Sequence, residues 1–266
     1  MKRTVIYILF LTQNLFAQNI NGSAEYIEKM SENEFEKQVL SDPNMDPAMR
    51  KFIEEKMKDK LQKTFVLNFN KFQSEYKEAD KVTIKEEASN GSWSPYGIDL
   101  ELYKNIKLKK SVAKKDLMGK HFFVENKLQN FNWVLLNETK KIGNYNCNSA
   151  QIIIPVTKEE QEAFEQEVLE NETNKTNFIK PEKPTDKIIN VWYTVEIPIS
   201  NGPEEYWGLP GLILEVSDGE TIILCTKVVL NSKKTKIKMP KEKNLIQQSE
   251  YDKIVDNKLE ELKNLN

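Results

Sequence analysis

Histidine occurs once in this 266-residue chain, cysteine twice and glycine nine times. A lone His121 excludes the several-histidine sets of catalytic zinc sites. A cysteine–histidine nucleophile would need His121 brought to Cys147 or Cys225, and His121 lies in an alternating, strand-like stretch instead. The scarce glycines form no phosphate-binding loop and no dinucleotide fingerprint, and there is no G-x-S-x-G elbow. No apolar run reaches the roughly 20 residues a membrane-spanning helix needs. An excess of one charge is lacking too: 39 basic and 41 acidic residues give a formal charge of −2. That balance carries no footprint for nucleic acid, and no polybasic membrane patch stands out. With so many carboxylates, close acidic pairs are inevitable and nominate no glycosidase. The expectation is therefore no catalytic residue, no metal ligand set and no cofactor.

What is present begins at the N-terminus. Lys2 and Arg3 precede the short apolar run Val5–Leu11, and small Ala17 follows. This is the plan of a secretory signal peptide covering residues 1–18, cleaved after Ala17 or Gln18. Its removal leaves 37 basic against 41 acidic residues and no further transmembrane segment, so residues 19–266 are expected as one exported domain. Export places Cys147 and Cys225 where a disulfide can persist. Pairing would close a loop of about 80 residues and contribute roughly 2–4 kcal/mol. The alternative is two separate buried thiols, since free cysteine packs as a small hydrophobe.

Along the mature chain, Asp46-Pro47 is matched to a helix start. Met49, Phe52, Ile53, Met57 and Leu61 then recur at helical spacing, which predicts an amphipathic N-terminal helix. Mostly extended sequence follows, with strands expected at 64–69, 103–112, 121–128, 132–138 and 147–154, and with Gly119 and Gly143 as turns. Ser89–Ser92 reads as a loop. Residues 157–186 break the pattern. Thr157–Glu160 resembles a capping box, seven glutamates crowd 159–172, and Lys180–Asp186 forms a polar, proline-bearing linker, so this segment reads as an inserted acidic surface helix. The helical run lacks the oxygen-rich loop that calcium needs. Val191–Ile199 alternates cleanly as a half-buried strand, Leu212–Val216 follows, and Asp218-Gly219 turns the chain into Glu220–Leu230. Tyr251, Val255, Leu259 and Leu262 stripe a C-terminal helix over 249–265. The expected class is α+β: a mainly antiparallel, curved, half-barrel-like sheet with N-terminal, inserted and C-terminal helices.

Trp207-Gly208-Leu209-Pro210-Gly211-Leu212-Ile213 joins the two best strands. Pro210-Gly211 suits the centre of a type II turn, proline fixing φ and glycine accepting positive φ after it. Gly208 permits a close backbone approach, and the leucines and isoleucine anchor the turn. The exact hexapeptide Gly208–Ile213 also resembles the signature of the GLPGLI family of exported proteins from Gram-negative bacteria. Ile197-Pro198-Ile199 and Gly202-Pro203 before it, Trp133–Leu135 and Lys141–Cys147 upstream, and Phe69–Tyr76 earlier are similar to that family's other blocks. The resemblance runs from about Gly22 to Leu230. It implies an exported envelope protein without an assigned activity.

Trp192, Tyr193, Tyr206 and Trp207 cluster in sequence, either as an apolar binding surface beside the turn or as ordinary sheet residues. The function expected is non-enzymatic: a carrier sheltering an apolar ligand in its curved sheet, or an accessory docking on an envelope or outer-membrane protein. The alternative from another class is a hydrolase whose site no motif reveals. A convergent cluster of perturbed titratable groups in a pocket would favour that alternative.

Overall fold

In the computed structural model, residues 20–30, 45–51, 62–79, 98–173, 181, 183–231, 237–240 and 245–264 are described. Twelve strands form one sheet: β1 (Asn21–Met30), β2 (Gln62–Asn70), β3 (Gln73–Glu78), β4 (Ile98–Asn105), β5 (Lys110–Leu117), β6 (Lys120–Lys127), β7 (Val134–Ile142), β8 (Tyr145–Ile154), β9 (Lys187–Thr194), β10 (Leu212–Ser217), β11 (Thr221–Leu230) and β12 (Leu245–Gln247). Their order across the sheet is β12-β6-β5-β4-β3-β2-β1-β11-β10-β9-β8-β7. All neighbours are antiparallel except β12, which joins β6 in parallel. Among the described residues the two long helices are α1 (Lys158–Thr173) and α2 (Gln248–Lys263), and residues 47–51 are also helical.

The expected α+β class is corrected by this architecture, which is mostly β, with 52% strand against 19% helix, in an open mixed sheet. Three features of the sequence hid strands. Asn21–Met30 alternates buried and half-exposed positions through Tyr26, yet Asn21-Gly22 at its start is turn-like and Glu28 and Lys29 charge its end. The stretch 103–112, expected as one strand, is a hairpin turning at residues 106–109, where Asn105 Oδ1 accepts from the Leu108 N–H at 3.0 Å and Lys109 adopts φ 53°. The strand expected over Val191–Ile199 stops at Thr194. The helices are peripheral. At residues 47–51, Asp46 Oδ1 accepts from Ala48 and Met49 N–H groups at 2.9 and 3.1 Å, but Met49 is 54% exposed. It therefore does not begin the core-facing stripe expected of an amphipathic N-terminal helix, and residues 52–61 lie outside the described residues, as does the loop expected at Ser89–Ser92. The capping box of α1 is formed: the Thr157 N–H donates to Glu160 Oε2 at 2.8 Å and the Glu160 N–H to Thr157 Oγ1 at 3.1 Å.

Two cores result. The larger gathers Ala24, Tyr26, Leu67, Phe69, Val191, Tyr193 and Ile223 from the strands with Ile197, Ile199 and Leu209 from the β9–β10 connection. The smaller lies under α2, where Tyr251 and Val255 pack on Leu117, Phe122 and Val124. Bulges between Glu25 and Tyr26, Asp99 and Glu101, Leu135 and Thr139, and Ile213 and Glu215 bend the strands and raise their twist, which lets the sheet curl around the larger core.

Candidate functional site

The connection between β9 and β10, residues 195–211, crosses the sheet to β3 and β4. Ser74 Oγ donates to Asn201 Oδ1 at 3.2 Å, and Lys104 Nζ donates to the carbonyls of Gly202 and Tyr206 at 2.8 and 3.1 Å. Strand β4 stands five places from β10 in the sheet, roughly 24 Å along a flat sheet. The contact is made because the sheet folds round the connection. The space a carrier would keep for a ligand thus holds Ile197, Ile199 and Leu209, each nearly or wholly buried.

The hexapeptide is the root of this plug. The Leu212 N–H donates to Ile197 O at 3.0 Å and the Ile213 N–H to Asn201 O at 3.0 Å. Tyr26 Oη on β1 donates to Ile213 O at 2.7 Å. Two tryptophans cross-tie the approach: Trp133 Nε1 donates to Trp207 O and Trp207 Nε1 to Gln129 O, both at 2.8 Å. The glycines work differently from the type II turn expected. Positive φ belongs to Gly208, at 99°, and not to Gly211. Gly211 is required by proximity, since a Cβ there would stand 2.0 Å from Thr194 O. Residues 209–211 bend without a hydrogen-bonded turn, and the connection's own tight turn is at Pro203–Tyr206, whose ends bond at 3.1 Å.

Perturbed titratable groups surround the clasp. Burial pushes the Lys104 ammonium down to about 7, against the pull of Glu205 and Glu204. Burial pushes Glu204, held at φ 44°, up to about 7, with Glu28 and Glu205 adding repulsion and Lys104 opposing it. The Tyr76 phenol is raised, first by burial, and its hydroxyl has no hydrogen-bond partner among the described residues. This is the convergent cluster a hydrolase would need, but Lys104 is 0% exposed with two donors already committed to carbonyls. The cleft of about 320 Å³ lies elsewhere, lined by Ile20, Asn21, Asn70, Lys71 and Phe72.

The other sequence candidates separate. Trp192 and Tyr193 fall on opposite sides of β9. Tyr193 is in the core, while Lys140 Nζ lies 4.4 Å from the Trp192 ring centroid and bonds Glu215 at 2.7 Å. Tyr206 joins Phe131 and Trp133, with centroids 5.6 and 6.4 Å away. The four aromatics therefore form no single surface. Cys147 and Cys225 are free and buried. They sit on β8 and β11, with β9 and β10 between them, and burial pushes their thiols up to about 11 and about 12, away from reactivity. His121 Nε2 lies 3.2 Å from Asp116 Oδ2 at the β5–β6 turn, on a different hairpin from either cysteine. Among the described residues no three His, Cys, Asp or Glu side chains gather as a metal set. Lys104 escaped sequence reasoning because a lone lysine in a lysine-rich chain gives no signal, and Ser74 was visible only within the family-like block Phe69–Tyr76. Trp133 was visible only as part of the family resemblance.

Comparison with known proteins adds little chemistry. A family described as "Protein of unknown function (Porph_ging)" matches residues 133–215, a span that runs from Trp133 through the hexapeptide. No curated protein matches. Two solved structures, titled "Structure of PNGF-II in C2 space group" and "Structure of PNGF-II in P21 space group", are similar at 13% identity, with TM-scores of 0.48 and 0.46. Each covers 90% of this chain, which spans only 33% and 34% of theirs.

Proposed function

We propose that this chain is an exported, non-enzymatic interaction protein of the periplasm or cell envelope, an accessory that docks on another envelope protein. The resemblance of Gly208–Ile213 and its flanking blocks to the GLPGLI family, together with the basic–apolar N-terminus, supports export. The observation that carries docking is the edge strand β7. Among the described residues it ends the sheet with β8 as its single neighbour, and Val134 and Leu135 are both exposed although they point to opposite sides. Ile153 and Ile188, paired across β8 and β9, are exposed beside it. An edge strand with unpaired backbone groups is a template for an added strand, and exposed apolar neighbours give that strand something to bury.

The carrier reading loses support because the protein's own connection fills the curl of the sheet. The hydrolase reading loses support because Lys104 is sealed. No helix among the described residues is long and apolar enough to cross a membrane.

The test is photocrosslinking in intact cells. A crosslinker at Leu135 or Ile188 should yield one discrete protein adduct, and one at Glu167 on α1 should not. Absence of an adduct at β7, with native mass spectrometry of the envelope-purified protein showing a retained lipid-sized mass, would restore the carrier.

A further inference from the structure

Three turns lie side by side at one end of the sheet. They are Asn70–Gln73 between β2 and β3, Asn105–Lys110 between β4 and β5, and Asn126–Leu128 at the end of β6. The Ile106 N–H donates to Phe72 O at 2.9 Å and the Leu128 N–H to Lys109 O at 3.0 Å, so the turns are stitched into one rim. Together they carry Lys71, Lys107, Lys109, Lys110 and Lys127 and no acidic residue, in a chain where acids outnumber bases. Two large apolar side chains stand among the lysines: Phe72 is 41% exposed and Leu108 57%. The ammonium groups of Lys71 and Lys107 lie 5.3 and 5.7 Å from the Phe72 ring centroid.

Local stability does not explain this composition. Lys110 and Lys127 are directly opposed across β5 and β6, and like charges in register destabilise a sheet. Among the described residues, Lys110 is the one of the five with an acidic partner, Glu125 at 2.9 Å. Acidic Glu250, in the first turn of α2, bounds the rim beyond β6, where Asn126 Nδ2 donates to Gln248 Oε1 at 3.1 Å. Beside Phe72 is the cleft lined by Ile20, Asn21, Asn70 and Lys71. Asn21 Oδ1 is buried without a hydrogen-bond partner among the described residues.

We infer that this rim is a docking surface for an anionic phospholipid bilayer, with Phe72 and Leu108 entering the interface and the lysines pairing with lipid phosphates. Exposed aromatic and aliphatic tips belong at the boundary between headgroups and acyl chains, and lysine stems let the charge stay at the phosphate level. Phosphatidylglycerol supplies the anionic phosphate that such a lysine rim would meet. A linear reading of the charge hides the surface, because its lysines come from three separate turns.

The test is flotation of the mature protein with vesicles of phosphatidylcholine containing roughly 30% phosphatidylglycerol, against pure phosphatidylcholine, across a salt series. Wild type should float with the anionic vesicles alone and lose binding as salt rises. The triple variant Lys71→Gln/Lys107→Gln/Lys109→Gln should bind on the order of a hundredfold more weakly, at about fivefold per lysine. Phe72→Ser/Leu108→Ser should also weaken binding while leaving the melting temperature unchanged. No flotation at low salt, or binding that both variants retain, overturns the proposal. So does loss in the lysine variant alone combined with equal binding to lipid-free heparin, which would make the rim a polyanion site and not a membrane one.

Discussion

The connection at residues 195–211 and the lysine rim are built on opposite principles. In the connection, side chains from other strands turn inward to it: Lys104, Ser74, Tyr26 and Trp133 all donate into it or its root. On the rim, long side chains turn outward, and like charges face each other across a ladder. The recognisable motif is therefore the part of the molecule committed to its own architecture, while the part with free chemistry has no motif. A signature in sequence marks a backbone that tolerates few residues, which is a different property from a surface that meets a partner.

The sharpest way to break the connection is Gly211→Ala. With backbone oxygen 2.0 Å from the new methyl group, the β9–β10 pair must part, and overpacking against backbone should cost about 3 kcal/mol, the upper end of its usual range; urea unfolding measures it, and a change under 1 kcal/mol would show that the approach is looser than described. Lys104→Met removes a buried charge but orphans two carbonyls, and should destabilise by about 1–3 kcal/mol in the same assay. Gly208→Ala meets Trp133 only at ordinary contact distance, so its cost is the left-handed backbone, roughly 1–2 kcal/mol.

The clasp also has a pH signature. Glu204 titrates in the folded protein near 7, above its unfolded value of about 4.3. The folded state thus holds the extra proton, and stability falls as pH rises through that window. Lys104 titrates near 7 when folded, below its unfolded value of about 10.4, so stability recovers above neutrality. Thermal melting should pass through a shallow minimum near pH 7, and Glu204→Gln should flatten its acid limb. The smallest expected effect sharpens the contrast: Phe72→Ser should change stability by no more than about 0.5 kcal/mol, as surface substitutions do, while weakening vesicle binding.

The sequence was legible where chemistry is local. The capping box at Thr157, the turns at Gly119, Gly143 and Asp218-Gly219, and the C-terminal helix follow from residues within a few positions of each other. It was not legible where tertiary contacts decide. Asn21–Met30 becomes a strand because β2 and β11 flank it, and Ile106–Lys109 turns without glycine or proline because Asn105 caps it. The hexapeptide's anchoring was legible, but the division of labour between its glycines was not. Sterics reserve Gly211 through Thr194, a residue from another strand that no turn rule considers.

Strand β1 pairs on one side with β2 and on the other with β11, nearly two hundred residues later. It is the seam between the β2–β6 half of the sheet and the β7–β11 half, and the Tyr26 bond to Ile213 lies on it. Loop closure over such a separation is slow and yields nothing until the distant strand arrives, so the halves stay unjoined until Thr221–Leu230 is available. A chain made from its N-terminus has this central strand waiting with one side unpaired until Thr221–Leu230 is complete.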